Sequence, residues 1–184
     1  YEGDWYRTDR AKLYSPPISD LPIWMAAGGP KSSALAATMA DGIITSVRDP
    51  LTTKDRVIDP AAAAAAAAGR AMPTIAASRW TVRAESSDEA WQALGAWRGL
   101  RAPGRLEAVD PADLRRRADN LDRDEVLSAY SIVSEPEDYV DVYRPLVTDI
   151  QADIVTIQTT SLDQEATIAM LGESVLPELR SLNP

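Results

Sequence analysis

The chain has 184 residues, 45% hydrophobic and 26% charged, which is ordinary for a globular protein and long enough for one buried core. No apolar run reaches the ~18 residues of a membrane span, and a net charge of -9 with a pI near 4.5 argues against nucleic acid or an anionic membrane as partner. With neither cysteine nor histidine, the chain holds no disulfide framework, zinc site, Cys–His pair or Ser–His–Asp triad, and its cysteine-free composition fits a reducing, cytoplasmic location.

The chain opens at Tyr1 rather than methionine, the start expected of a piece of a longer protein. Pro22-Ile23-Trp24-Met25-Ala26 reads as a buried strand ending in Ala27-Gly28-Gly29-Pro30. A helix follows with Leu35 and Met39 on one face, and Asp41-Gly42 turns into a second strand, Ile43-Ile44-Thr45-Ser46. Asp59-Pro60 opens a short helix through the alanine run 61–68, closed by Gly69, with Asp59 as N-cap. Residues 75–82 form a third strand. Ser86 and Glu89 make a capping box for a helix with Ala90, Leu94 and Trp97 on one face.

Residues 99–130 read as an irregular helical insertion, with a helix start at Asp110-Pro111 and the charged run Arg115-Arg116-Arg117 as a solvated, ion-paired face. After the apolar run 130–133, Ser134 and Glu137 make another capping box for a helix carrying Tyr139, Val142, Tyr143 and Leu146. Residues 153–157 form a strand, and Ser161 with Gln164 caps a last helix carrying Ile168, Leu171, Val175 and Leu179. Trp24, Trp80, Trp91 and Trp97 are expected in the core. No ligand spacing among Asp149, Asp153 and Asp163 supports a metal.

Strands alternating with helices predict a parallel α/β fold of about four strands. A closed (β/α)8 barrel needs at least about 200 residues. The length therefore fits either a small doubly wound domain or half a barrel.

The loop Ala26-Ala27-Gly28-Gly29-Pro30-Lys31-Ser32-Ser33 carries the strongest chemical signal. Consecutive glycines let backbone approach a ligand, and a helix N-terminus beside Lys31 and Ser32 suits a phosphate. The bland alternative is a tight turn with an exposed lysine. The loop is neither a Walker A motif nor a dinucleotide fingerprint, because the Gly-Lys-Ser/Thr order and the third glycine are missing.

Together with Ala40-Asp41-Gly42-Ile43-Ile44-Thr45-Ser46, Gly3-Asp4-Trp5-Tyr6-Arg7, Ser134-Glu135-Pro136-Glu137 and the 175–180 helix, this loop resembles the second half of the luciferase-like superfamily. The resemblance is to the branch of deazaflavin-dependent glucose-6-phosphate dehydrogenases that use coenzyme F420. It implies a (β/α)8 TIM barrel of which residues 1–184 form a single unit, the C-terminal half. The catalytic histidine and glutamate would then lie in the other half, so this chain holds no catalytic residue and is expected to be inactive alone. A longer polypeptide or a second chain would supply that half, and a homo-oligomer is expected.

By the same resemblance, Ala27, Gly28, Gly29, Lys31 and Ser32 hold the cofactor phosphate, and Ser46, Arg48 and Arg105 bind a small-molecule substrate. Ala129 stands where the resemblance places a phosphate-binding arginine, which argues for a sugar or alcohol other than glucose 6-phosphate. The leading expectation is an F420-dependent oxidoreductase that transfers a hydride between substrate and cofactor. An FMN-dependent monooxygenase is the second, against which Gly28-Gly29 argues. A non-catalytic flavin-binding module that dimerises is the third.

Overall fold

In the computed structural model, which describes residues 1–182, one parallel sheet carries five strands, with the main helix layer on one face and residues 84–130 packed over the other face only at the C-terminal end of β3. The strands are β1 (Trp24–Ala26), β2 (Gly42–Ser46), β3 (Thr74–Arg83), β4 (Ser131–Val133) and β5 (Ile154–Thr160). This is the expected parallel α/β arrangement, with one strand more than the four expected. The extra strand is the three-residue β4, which pairs only Thr81–Arg83 of β3.

Register defines the sheet's geometry. β2 pairs Thr74–Ser78 of β3, and β5 pairs Ala76–Val82 on the opposite edge. β4 overlaps the β5-paired stretch, so it lies on the β2 edge, beyond the end of β2. On that edge Arg79 and Trp80 have neither β2 nor β4 beside them. The ladder is open at those two positions.

The helices are α1 (Pro30–Met39), α2 (Pro50–Thr53), α3 (Asp59–Ala67), α4 (Ser87–Leu94), α5 (Pro111–Asp119), α6 (Arg123–Ser128), α7 (Pro136–Thr148), α8 (Gln164–Met170) and α9 (Leu176–Ser181). None of the described helices is long and apolar enough to cross a membrane. Helix α1 packs on α3 through Ala36, Ala37, Ala61 and Ala65, all nearly inaccessible. The alanine run thus brings two helices close together. Leu35 and Met39, read as sharing one face of α1, are 51% and 60% exposed. The small residues take the buried side because only they allow that approach.

Several local expectations shift for identifiable reasons. Asp59, the first residue of α3, is not an N-cap but continues a helix already under way. The true N-cap is Asp49, whose carboxylate accepts from the Thr52 N–H at 2.7 Å, and α2 runs through a π-helical turn (Lys54–Ile58) into α3. A second π turn (Leu171–Val175) joins α8 to α9. In each, an i→i-5 bond closes just before a proline, from Asp59 N to Lys54 O before Pro60 and from Leu176 N to Leu171 O before Pro177. A proline has no N–H to give and its ring crowds the carbonyl four residues back, so the turn widens rather than breaks.

Two capping boxes also move. Glu135, not Ser134, caps α7, with Asp138 accepting from the Glu135 and Ser134 N–H groups at 3.0 Å each. Asp163 rather than Ser161 caps α8. Ser86 does cap α4, while Glu89 reaches past it to the Glu85 N–H. Helix α4 ends at Gly95, whose φ of 45° is left-handed, and a 3-10 turn (Gly95–Arg101) follows. That break turns Trp97 outward to 52% exposure, against the expected core position.

The main core lies between sheet and helices, where Tyr139 and Tyr143 of α7 stack with ring centroids 6.4 Å apart. A second cluster under residues 95–130 gathers Val82, Leu94, Leu127 and Tyr130 around Trp80. Along β5, Val155 and Ile157 join the core while Ile154, Thr156 and Gln158 are exposed, the period of two of a strand with one covered face.

Candidate functional site

Register stacks the face away from the main helix layer into rows, the last of them covered by the second core cluster. Ala26, Ile44, Ala76 and Ile154 stand side by side, then Ser46, Ser78 and Thr156, then Trp80 and Gln158. The rows turn from apolar to polar toward the C-terminal ends of the strands. Two cavities open at those ends.

The first, about 240 Å³, is lined by Gly28, Thr45, Ser46, Arg48, Thr53 and Arg56 among others. Ala27 anchors the loop, with its N–H bonded to Ile44 O at 2.9 Å. Gly29 is the N-cap of α1 and Pro30 its first residue, so no side chain caps this helix. Ser33 N returns to Gly29 O, while among the described residues the N–H groups of Lys31 and Ser32 have no hydrogen-bond partner. Ser32 Oγ donates to Gly29 O at 3.0 Å, and the Lys31 side chain is exposed. A Cβ on Gly28 would enter open space, and one on Gly29 would lie 3.9 Å from Arg56 Nη2. Thr45 Oγ1 is buried in this lining without a hydrogen-bond partner among the described residues. Arg48, Arg56 and the Thr45 hydroxyl line this cavity together with the Asp49 carboxylate, and the N-terminus of α1, whose dipole end suits an oxyanion, follows directly after Gly28.

The second cavity, about 340 Å³, fills the gap between the end of β2 and the start of β4. Ser46, Arg48, Arg79, Trp80, Arg101 and Tyr130 are among its lining. Ser46 and Arg48 line both cavities and form their common wall. Ser46 Oγ lies 3.3 Å from Ser78 Oγ. Arg79 Nη2 donates to Ser131 Oγ at 3.1 Å, and the Arg101 guanidinium sits 5.0 Å from the Tyr130 ring centre. Ala129 also lines this cavity, so a methyl occupies the place the resemblance gives to an arginine.

Of the five loop residues expected to hold a cofactor, only Gly28 lines the first cavity, beside Ser46 and Arg48, while Ala27, Gly29, Lys31 and Ser32 flank it at the end of β1 and the start of α1. Arg105 stands apart, exposed in the turn after the 3-10 segment, and lines neither cavity. Three residues escaped the sequence reading. Arg79 had a signal, a lone cation in an apolar strand. Arg56 and Arg101 had none, because each is one of several charges in its stretch. Asp153, weighed for a metal, instead accepts the Ile75 N–H at 2.7 Å, and Asp163 is spent on its cap.

Residues 1–149 match the luciferase-like monooxygenase family. The chain is 28% identical to an F420-dependent glucose-6-phosphate dehydrogenase of Nakamurella multipartita, over 99% of this chain and 55% of the relative. It is 31% identical to an F420-dependent hydroxymycolic acid dehydrogenase of Mycobacterium tuberculosis, over 98% of this chain and 49% of the relative. Among solved structures, an F420-dependent secondary alcohol dehydrogenase in complex with an F420-acetone adduct superposes with a TM-score of 0.76 at 24% identity, covering 98% of this chain and 55% of that one. The chain spans about half the length of the relatives it matches.

Proposed function

The chain belongs to the luciferase-like monooxygenase family, and on that premise we propose that it forms the second half of an F420-dependent oxidoreductase barrel acting on an alcohol or sugar. The observation that carries this reading is the Gly28-Gly29 loop, uncapped and open at the C-terminal end of a parallel sheet. In it the N–H groups of Lys31 and Ser32 hold the phosphate of the cofactor tail, and Ala27 fixes the loop to β2. When bound, F420 supplies the two-electron hydride exchange with the substrate carbon. Ser46 and Arg48, in the wall between the two cavities, orient the substrate against it. Among the described residues the one carboxylate lining either cavity is Asp49, whose capping bond to Thr52 holds its pKa below the usual carboxylate range and so makes it a poor acceptor for the alcohol proton. The base comes from the other half of the barrel, in an upstream segment or a separate chain. That half also covers the exposed face of the sheet and closes the open edges of β1 and β5.

Titration of residues 1–184 with F420 and with FMN, followed by cofactor fluorescence, tests the assignment. Saturable binding of F420 in preference to FMN is expected, together with no cofactor reduction by alcohols until the other half is added. Preference for FMN would favour the monooxygenase reading. Turnover by the chain alone would overturn the division of labour.

A further inference from the structure

We infer that, where the other half of the barrel is not present, two copies of this chain close one eight-stranded barrel, the free edge of β5 in each copy pairing with the free edge of β1 in the other. This goes beyond the oxidoreductase reading. Under that reading the closed pair carries two Gly28-Gly29 loops but gains no new type of side chain, so it binds cofactor without turnover. The other half competes with the second copy for the same two edges.

The sheet supplies the geometry. Its continuous path β1-β2-β3-β5 has four strands, all parallel, and among the described residues one edge of β1 and one of β5 are unpaired. Four is half of the eight that close a barrel. A two-fold axis along the strand direction sets β5 of one copy beside β1 of the other and keeps the strands parallel at both junctions. The same operation makes the two junctions identical, so the pair closes with no edge left to recruit a third copy. Pairing β1 on β1, or β5 on β5, leaves two edges open.

The surfaces that would meet are uncharged. The chain carries 28 acidic and 19 basic residues. Yet on the face away from the main helix layer, from the row of Trp24, Gly42 and Thr74 to that of Ser46, Ser78 and Thr156, no side chain is ionisable. Ile44 and Ile154, in the row between, are each 46% exposed. A sheet face that meets water normally carries polar and charged side chains. The edges are equally unguarded. β5 offers seven residues without a charge or a proline, and β1 has neither within Trp24–Ala26. Sheets that stay alone blunt such edges with charge, proline or a bulge. Closure buries the apolar row in a barrel interior, where branched side chains pack in layers. The exposed side of α1, with Leu35 and Met39, offers apolar contact but no row of unpaired backbone groups.

Analytical sedimentation of the 184-residue chain measures the mass. A pair of 19.9 kDa chains is expected. It should tighten as salt is raised, because each copy carries a net charge of -9 and the junctions carry none. Ile154→Lys and Ile44→Lys are each expected to weaken the pair at least about a hundredfold, since either puts an unpaired charge from each copy into the closed interior. Both positions are exposed in the single chain, so the monomer should stay folded by circular dichroism, and either variant suffices if the other does not fold. Met39→Lys, on the exposed side of α1, is expected to leave the pair intact. Hydrogen exchange should find the free-edge amides of β5 protected in the pair and exposed in the lysine variants of the sheet face. A monomer at every accessible concentration, open-ended oligomers, a pair unweakened by a folded sheet-face variant, or a pair lost in Met39→Lys overturns the inference. F420 fluorescence in the same samples separates it from the oxidoreductase reading. F420 bound by a monomer overturns the pairing alone, and a pair that binds no F420 overturns the cofactor assignment alone.

Discussion

The Tyr143 hydroxyl donates to the Arg79 carbonyl at 2.6 Å. The same oxygen lies 3.3 Å from Gln158 O and 3.4 Å from Thr81 Oγ1. One phenol from α7 thus ties the helix layer to β3 and β5 at the residue whose guanidinium lines the rim cavity.

Burial pushes the Tyr143 hydroxyl from 10.0 up to about 12. Burial likewise raises Tyr139, which shares a hydrogen bond of 2.7 Å with Thr159 Oγ1. The folded state holds the proton more tightly than the unfolded chain, so the associated stability is fully present below pH ~10 and is lost as pH rises toward ~12. About two units correspond to about 2–3 kcal/mol. Tyr143→Phe is expected to cost about 1 kcal/mol at neutral pH and to remove most of that alkaline loss. Urea titrations from pH 8 to the alkaline limit check this, and an unchanged pH slope in the variant contradicts it.

Ala61 is fully buried against α1, whereas Ala62 in the same run is exposed. Ala61→Leu is expected to overpack the α1–α3 contact and cost about 1–3 kcal/mol. Ala62→Leu should change stability by less than about 0.5 kcal/mol. Equal effects in thermal or urea unfolding would mean that the helices do not meet through alanines.

Gly42 pairs with Trp24 across β1 and β2, and a Cβ on it would collide with the Trp24 indole. Gly42→Ala is expected to cost about 1–3 kcal/mol. Trp24→Ala in the same chain should relieve part of that cost, a coupling that a double-mutant cycle reads directly. Strict additivity would place the indole elsewhere.

Much of this architecture was legible because it is local. Apolar runs marked β2, β3 and β5, the spacing of Tyr139, Tyr143 and Leu146 marked the buried face of α7, and Gly28-Gly29-Pro30 marked the loop. The misreadings have physical causes. Leu35 and Met39 mark a face of α1 that stays exposed, because a close helix pair selects alanine for the buried side. Asp59-Pro60 looked like a start, but a π turn absorbed the proline. Of the cavity between β2 and β4, Ser46, Arg48 and Ala129 were legible through the resemblance, whereas Arg79 and Arg101 were not, since their place depends on β4 lying beyond β2. No local pattern reports that register.

The Gly28-Gly29 loop is tested most directly by titrating F420 fluorescence against the wild type and Gly29→Asp, alongside thermal melts. Gly29 has a φ of -159°, extended backbone that any residue adopts, so the substitution carries no strain. As N-cap, the aspartate would itself accept the free N–H groups of α1, which holds or raises stability by a few tenths of a kcal/mol. It would also put a negative charge where the cofactor phosphate sits. The expected result is an affinity lowered about tenfold to a hundredfold in a variant that melts no lower than the wild type. Equal affinity in the folded variant, or no saturable binding by the wild type, would contradict the assignment of this loop to the cofactor.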